Sequence, residues 1–424
     1  MIFKSHLLTC LCILLALWLP AQVEGIHLSW NNDQGSATSQ TIAITWLSDD
    51  KTDAIIKYGV DSNRLNSGAK GRKKYSDNLR TYVYKATIRK LKPGTFYYYR
   101  VGNTKKVSGK IFGFQTSGGD DTTNRTIVGI WSDTQDNNGN RNFEQTDTIV
   151  KQLAKFPLDF TIHTGDIVNN GSVESSWKVF FKTAQSLNAN FPLMSVTGNH
   201  DVVNDSGHNS FQKPFPVYYE LFNLPNDQLN YSYIYGNAKF IAINSGYAKG
   251  AEKKDAILFK PGSAEYRWLD QELSKAKSNI RIKWIIVYCH YPVYAFGISL
   301  VSRWQQHITP LLDKYGVDLC ISGHRHVYER HKAIKGGTVY EMTDDHVYNQ
   351  PAGTIYITNG SAGGSLQGTG GNHLPTMVFT PLKKIYTYAV MNVGSEDIRF
   401  DVYDKEGRRI DYFKIQKTFK AGGL

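Results

Sequence analysis

Between residues 126 and 322, β-rich runs alternate with stretches of helical periodicity, and each β run is followed closely by an acid, an amide or a histidine. The β runs are Thr126–Trp131, Leu158–His163, Leu193–Val196, Lys283–Cys289 and Val317–Ser322. Helical spacing is carried by Asn142–Leu153, Ser172–Ala184, Ala264–Lys277 and Trp304–Tyr315. Strands alternating with helices predict an α/β layer fold. Ligands of such sheets bind outside the carboxyl ends of the strands. Chemistry is therefore expected at Asp133 and Gln135, at Asp166, at Asn199, His200 and Asp201, at His290, and at His324 and His326.

Two carboxylates, an amide and three imidazoles converging on one cleft form a metal-ligand set. Imidazole suits zinc or iron, and carboxylate or amide oxygen suits harder cations. The donors are too many for one tetrahedral ion, so two ions sharing a bridging carboxylate are expected. Such a pair clamps a phosphate and generates hydroxide near neutral pH.

Before this region, Thr41–Trp46, Ala54–Tyr58, Thr81–Ile88, Phe96–Val101 and Gly109–Thr116 are short β-rich runs. Turn signals such as Lys92-Pro93-Gly94 separate them. This pattern predicts a β-sandwich over 26–117. Ser117-Gly118-Gly119-Asp120-Asp121 reads as a linker, and residues 118–424 as a second domain. That domain ends in a β region over 352–416, with runs at Gly353–Asn359, Thr387–Val393, Asp397–Tyr403 and Arg409–Ile415 and a glycine-rich loop at 360–371.

Composition excludes disorder: 26 Tyr, 20 Phe and 8 Trp supply ample core material. The 424 residues exclude a single small domain. Lys and Arg exceed Asp and Glu by 49 to 37, a net charge of +12. The longest basic run is only Arg72-Lys73-Lys74, so no nucleic-acid partner is expected.

Residues 1–25 read as a secretory signal, with Lys4, an apolar stretch from Leu7 to Leu19, and small or tolerated residues at Ala21, Val23 and Gly25. No later stretch is apolar enough to span a membrane. A secreted or lysosomal/vesicular location is expected. Cys289 and Cys320 would then be the remaining cysteines, either as buried thiols or as one bridge between adjacent strands. Asn124, Asn170, Asn204, Asn230 and Asn359 head glycosylation sequons.

Five blocks resemble the purple acid phosphatase family of calcineurin-like metallophosphoesterases: Ser-Asp-Thr-Gln at 132–135, Gly-Asp-Ile-Val-Asn at 165–169, Gly-Asn-His-Asp at 198–201, Cys-His-Tyr-Pro at 289–292 and Gly-His-Arg-His-Val-Tyr-Glu-Arg at 323–330. The stretch from Leu91 to Gly102 resembles that family's N-terminal, fibronectin-III-like domain. The resemblance implies a catalytic α/β sandwich of two central β-sheets flanked by helices, preceded by the all-β sandwich. It implies a binuclear phosphatase in which a metal-bound hydroxide attacks phosphate monoesters in line. Asp166 would bridge both metals. Asn199, His290 and His324 would complete the divalent site, Asp133 and His326 would hold the other ion, and His200 would serve the substrate phosphate or leaving alkoxide. Iron paired with zinc, manganese or iron is the implied cofactor, with a phosphate ester as substrate and a homodimer as an allowed assembly.

Two departures stand out. The family's tyrosine ligand lies three residues after the bridging Asp, where this chain has Asn169; the wider superfamily places a His where this chain has Gln135. A ferric tyrosinate gives the family its colour, so a colourless protein with a divalent pair is expected, with Gln135 or water at the open position. Asp201 either orients His200 or caps the following segment. His163 and His307 read as structural, Trp177 and Trp268 as core, and His208, His373, Arg325 and Tyr247 as remote candidates for substrate contact. A phosphodiesterase of the same superfamily and a binding protein with a decayed site are the alternative readings.

Overall fold

A computed structural model describes residues 23–419 except 32–36, 50, 103–109, 120–124, 136–141, 203–215, 246–258, 298–300 and 371–372. The N-terminal part is all-β, two antiparallel four-stranded sheets. One runs in the order Glu24–Ser29, Ile42–Ser48, Thr81–Ile88, Arg72–Ser76. The other runs Ser67–Lys70, Ile55–Gly59, Phe96–Gly102, Phe112–Gln115. Alternation along Thr81–Ile88 buries Val83 among the core residues, and Trp46 stacks on Tyr84 at 5.2 Å.

Three of these strands escape the sequence pattern. Ser67–Lys70 and Arg72–Ser76 are charged edge strands without apolar alternation, the composition that keeps sheet edges from pairing further. Glu24–Ser29 begins two residues before the expected domain start at 26, within the segment 1–25 expected to be a secretory signal.

The strand Glu24–Ser29 is buried beyond its first residue because it joins the two halves of the molecule. His27 stacks on Phe181 of the helix Glu174–Thr183 at 4.1 Å. Tyr99 donates to the Ala189 carbonyl at 2.7 Å, and Trp30 packs edge-on against Phe160. One continuous apolar core runs through both halves.

The α/β part holds two mixed sheets. In the first, Leu193–Ser195, Phe160–His163 and Thr126–Trp131 are parallel; Thr387–Val393, Asp397–Asp404 and Arg409–Gln416 continue it antiparallel, and Val347–Asn349 closes the edge. In the second, Ala238–Ile243, Trp284–Cys289, Leu319–Ser322 and Thr354–Asn359 are parallel neighbours, with Tyr231–Tyr235 and Tyr328–Lys335 antiparallel at the flanks. The sheets meet through contacts such as Phe160 edge-on to Phe240 at 5.1 Å. Helices cover the outside. Phe180 stacks on Trp131 of the first sheet, while Leu269, Leu273, Trp304 and Ile308 pack on Ile285 and Val287 of the second. Trp284–Cys289 is therefore buried throughout, as a parallel strand covered on both faces must be.

Cys289 and Cys320 are free and buried. Trp177 is core, and Trp268 packs half-buried on the second cluster. Among the described residues, no helix is long and apolar enough to cross a membrane.

Candidate metal centre

Parallel pairing puts the carboxyl ends of neighbouring strands on one edge. The first sheet delivers Asp133, Asp166 and Asn199 from three adjacent strands, and the second delivers His290, His324 and His326 from two. The turns that follow are tight. Asp133, Asp166 and His324 adopt left-handed backbone with φ of 54°, 51° and 67°, a conformation costing roughly 1–2 kcal/mol for a residue with a Cβ. Glycines lie against the carboxylates. A Cβ on Gly198 would stand 2.1 Å from Asp166 Oδ1, and one on Gly323 would stand 2.4 Å from Asp133 Oδ2. Any side chain there displaces a carboxylate.

Asp166, His290 and His324 offer donor atoms within 4.8 Å of one another, and so do Asp133, Asp166 and His326. Asp166 belongs to both groups. His290 Nδ1 lies 2.8 Å from the Thr164 carbonyl, which can only accept, so Nδ1 carries the hydrogen and Nε2 presents its lone pair. That lone pair stands 3.0 Å from Asn199 Oδ1, 3.3 Å from His324 Nδ1 and 3.3 Å from Asp166 Oδ2. His324 Nδ1 is 2.8 Å from Asn199 Oδ1. Four acceptor atoms facing one another suit a cation: ligand bonds of ~2.1 Å around a tetrahedral ion put neighbouring donors roughly 3.4 Å apart. In the second group, His326 Nδ1 donates to the Ser365 carbonyl at 2.7 Å, which leaves Nε2 at 3.4 Å from Asp133 Oδ1.

The electrostatics agree with this reading. Burial alone would raise the Asp166 carboxyl, but His290, His200 and His324 hold it well below the usual carboxylate range. Burial would lower His290, yet the neighbouring Asp166 carboxylate raises it to about 9. Burial and the charge of His290 lower His324 to about 3. A bound cation takes the place of the proton that His290 otherwise shares with Asp166.

Gln135 is buried, and its amide nitrogen donates to Asp166 Oδ2 at 3.1 Å. That contact is made by the nitrogen, to the residue common to both groups, and not by the side-chain oxygen expected as a weak ligand. His200 is half-buried; its main-chain N–H donates to Asp166 Oδ1 at 2.8 Å, and its Nδ1 lies 2.7 Å from the Asn169 carbonyl.

Among the described residues, Asp201 neither bonds to the His200 ring nor caps the following segment. It is fully buried, and its carboxylate accepts the main-chain N–H groups of Ile167, Val168 and Gly198 at 2.9, 3.2 and 2.8 Å. It thereby ties the Asp166 loop to the Asn199 loop, because both leave unpaired amides at the same point. The carbonyls of Thr164, Asn169 and Ser365, which orient the three rings, carry no residue-type signature and are invisible in a sequence.

Among the described residues, the other candidate histidines belong to neither donor group. His163 is fully buried, edge-on to Trp131, with burial lowering it to about 3. His373 is exposed, and His208 and Tyr247 lie outside the described residues. Arg325 is half-buried, with a guanidinium nitrogen 3.7 Å from where a Cβ on Gly297 would stand.

The sequon at Asn359 is a correction. Its side chain is fully buried between the sheets, accepting from Thr387 Oγ1 at 2.8 Å and donating to the Ile130 carbonyl, so no glycan fits. Asn170 and Asn230 are half-buried with their side-chain oxygens engaged, and Asn124 and Asn204 lie outside the described residues.

Comparisons with known proteins bear on this arrangement. The purple acid phosphatase N-terminal domain family matches residues 23–116, and the calcineurin-like phosphoesterase family matches residues 127–328. The chain is 26% identical over 388 residues to "Acid phosphatase type 7" of Homo sapiens, covering 84% of this chain and 83% of that protein. It is 25% identical over 340 residues to "Probable purple acid phosphatase 20" of Arabidopsis thaliana, covering 77% and 71%. In fold it is similar to the purple acid phosphatase PPD1 from yellow lupin seeds, with a TM-score of 0.77 and 19% identity over 94% of this chain and 75% of that one. The chain belongs to the purple acid phosphatase-like calcineurin-type metallophosphoesterases and is a metal-dependent phosphoric-ester hydrolase.

Proposed function

We propose that the protein is a secreted or vesicular phosphatase that hydrolyses phosphate monoesters at a binuclear metal centre. The observation that carries this reading is the double membership of Asp166, whose carboxylate stands between a group with His290 and His324 and a group with Asp133 and His326. Asp166 would bridge two ions; Asn199, His290 and His324 would complete one site, and Asp133 and His326 would hold the other, with Gln135 beside Asp166. Two metal ions supply a phosphate clamp and an activated water near neutral pH.

The chain's own groups do the rest. The carbonyls of Thr164 and Ser365 fix the rings of His290 and His326 so that their Nε2 lone pairs face inward. The three amides held by Asp201 keep the Asp166 and Asn199 loops in register. With Nδ1–H of His200 donating to Asn169, Nε2 is the nitrogen that holds a proton for the leaving alkoxide. The positions of Asn169 and Gln135, which supply neither phenolate nor imidazole, favour a divalent pair (zinc, manganese or ferrous iron) over a ferric one.

Elemental analysis of the purified chain, combined with turnover of a monoester and a bis-ester from pH 4 to 8, tests the proposal. Two metals per chain and preference for the monoester are expected. Preference for the bis-ester identifies a phosphodiesterase, and less than one metal without turnover identifies a binding protein.

A further inference from the structure

Five cationic side chains outside the metal centre gather along one seam. Arg72 and Lys74 belong to the edge strand Arg72–Ser76, Lys85 to its neighbour Thr81–Ile88, and Lys70 and Arg89 lie just beyond the pairing. In the antiparallel register Arg72 stands opposite Lys85 and Lys74 opposite Val83, so these side chains share a face. Like charges set directly opposite each other on paired strands are destabilising.

Lys70, Arg72, Lys74 and Arg89 are exposed and form no ion pair with a described residue. Lys73, from the same run, faces the other way and reaches Asp53 at 3.8 Å. Lys85 donates to the carbonyls of Tyr219 and Phe222, and burial together with the charge of Arg72 lowers its ammonium to about 7.

Arg72 and Lys85 form the wall between two cavities. One, of about 600 Å³, is lined by the apolar surfaces of Val83, Pro216 and Tyr219. The other, of about 340 Å³, is polar, with Lys70, Arg89, Asn31, Thr87 and Asn223 around it. Both volumes suit a small ligand. Glu220 is the one carboxylate among the described lining residues, and it is taken by Ser76 Oγ at 2.5 Å. Charge on an edge strand guards against further strand pairing. That role explains neither Lys85, on an interior strand, nor the gathering of Lys70 and Arg89 around the same cavity.

We propose that this seam binds a small amphiphilic organic anion, its apolar body against Val83, Pro216 and Tyr219 and its anionic group held by Arg72, Lys70 and Arg89. The site is independent of the metal centre, and its ligand need not be a substrate.

The test is calorimetric titration of the metal-loaded full chain with 1-naphthalenesulfonate, whose sulfonate is a poor metal ligand. Saturable binding is expected. It should weaken at least about tenfold in Arg72→Ala/Arg89→Ala, persist in Asp166→Asn, and weaken at least as much when neutral 1-naphthalenemethanol replaces the sulfonate. Circular dichroism confirms the fold of each variant; if the double variant is misfolded, Lys70→Ala is read instead, with a loss of about threefold expected. The proposal is overturned by absence of saturable binding, by undiminished affinity in the folded arginine or lysine variant, by loss of binding in folded Asp166→Asn, or by equal affinity for the neutral analogue.

Discussion

The ring of His200 is held by the main-chain carbonyl of Asn169, 2.7 Å from Nδ1, where a carboxylate side chain would be the usual partner. The carbonyl survives any substitution at position 169 that keeps the turn. Asn169→Ala is therefore expected to retain kcat within about threefold, while His200→Ala loses roughly 10²–10⁴-fold, the range for a positioned general acid. Steady-state kinetics on a monoester checks both. A loss in Asn169→Ala as large as that in His200→Ala would mean the amide side chain, and not the carbonyl, governs the ring.

Among the described histidines and carboxylates, Asp166 alone belongs to both donor groups. Asp166→Asn keeps the shape and removes the charge. It is expected to lower metal content at both sites and to abolish measurable turnover, a loss of several kcal/mol of transition-state stabilisation. His326→Ala, confined to one group, should lower the content by about one ion per chain. Elemental analysis separates the two patterns. Equal losses in both variants would show that Asp166 serves one ion alone.

Much of this site is legible in the sequence because its logic is positional. Asp133, Asp166, Asn199, His290, His324 and His326 each follow a β run, and parallel pairing alone brings such ends together. Residue types cannot show what fixes the rings, since Thr164, Asn169 and Ser365 act through backbone oxygen. Asp201 was readable as an acid near the cleft, but its three amide partners come from two loops more than thirty residues apart along the chain in two cases. The fold shows the same division. Buried strands such as Trp284–Cys289 announce themselves by continuous apolar sequence, whereas Arg72–Ser76 is a strand because Thr81–Ile88 offers it an edge.

Colour follows from position 169. Charge transfer from a phenolate to ferric iron needs a tyrosine ligand, and this chain has Asn169 three residues after Asp166, where the family's tyrosine lies. The metal-loaded protein is expected to show no strong visible band. Absorption spectroscopy of protein with quantified iron decides this: a purple preparation would show that a tyrosine elsewhere in the chain has taken the ligand position.

Asn359 should carry no glycan although it heads a sequon. Its amide spans the two sheets, accepting from Thr387 and donating to Ile130. Peptide mass spectrometry of protein from a glycosylating host is expected to find it unmodified. Asn359→Ala should destabilise the fold by about 1–3 kcal/mol, the cost of leaving buried polar groups unpaired. A glycan at Asn359, or an unchanged unfolding midpoint, contradicts the buried placement.

His27 gives the fold a specific sensitivity to acid. Its ring is sealed between Phe181 and the Leu221 carbonyl at the junction of the two halves, and burial lowers its pKa to about 4 from 6.5. The unfolded chain thus takes up this proton before the folded one does. The contribution is full above pH 6.5, declines as pH falls below it, and is gone below about 4; the shift corresponds to about 3 kcal/mol. His163, lowered to about 3 by burial, adds to the slope in the same direction. His27→Phe retains the stack on Phe181 but has nothing to protonate. It should be less stable than the parent at pH 7, because the one carbonyl that accepts the neutral ring's N–H, Gly25 or Leu221, loses its donor, yet lose less stability between pH 7 and 4. Denaturant unfolding at pH 7, 5.5 and 4 measures the difference; parallel pH profiles for parent and variant would show that His27 has the same pKa in the folded and unfolded chain.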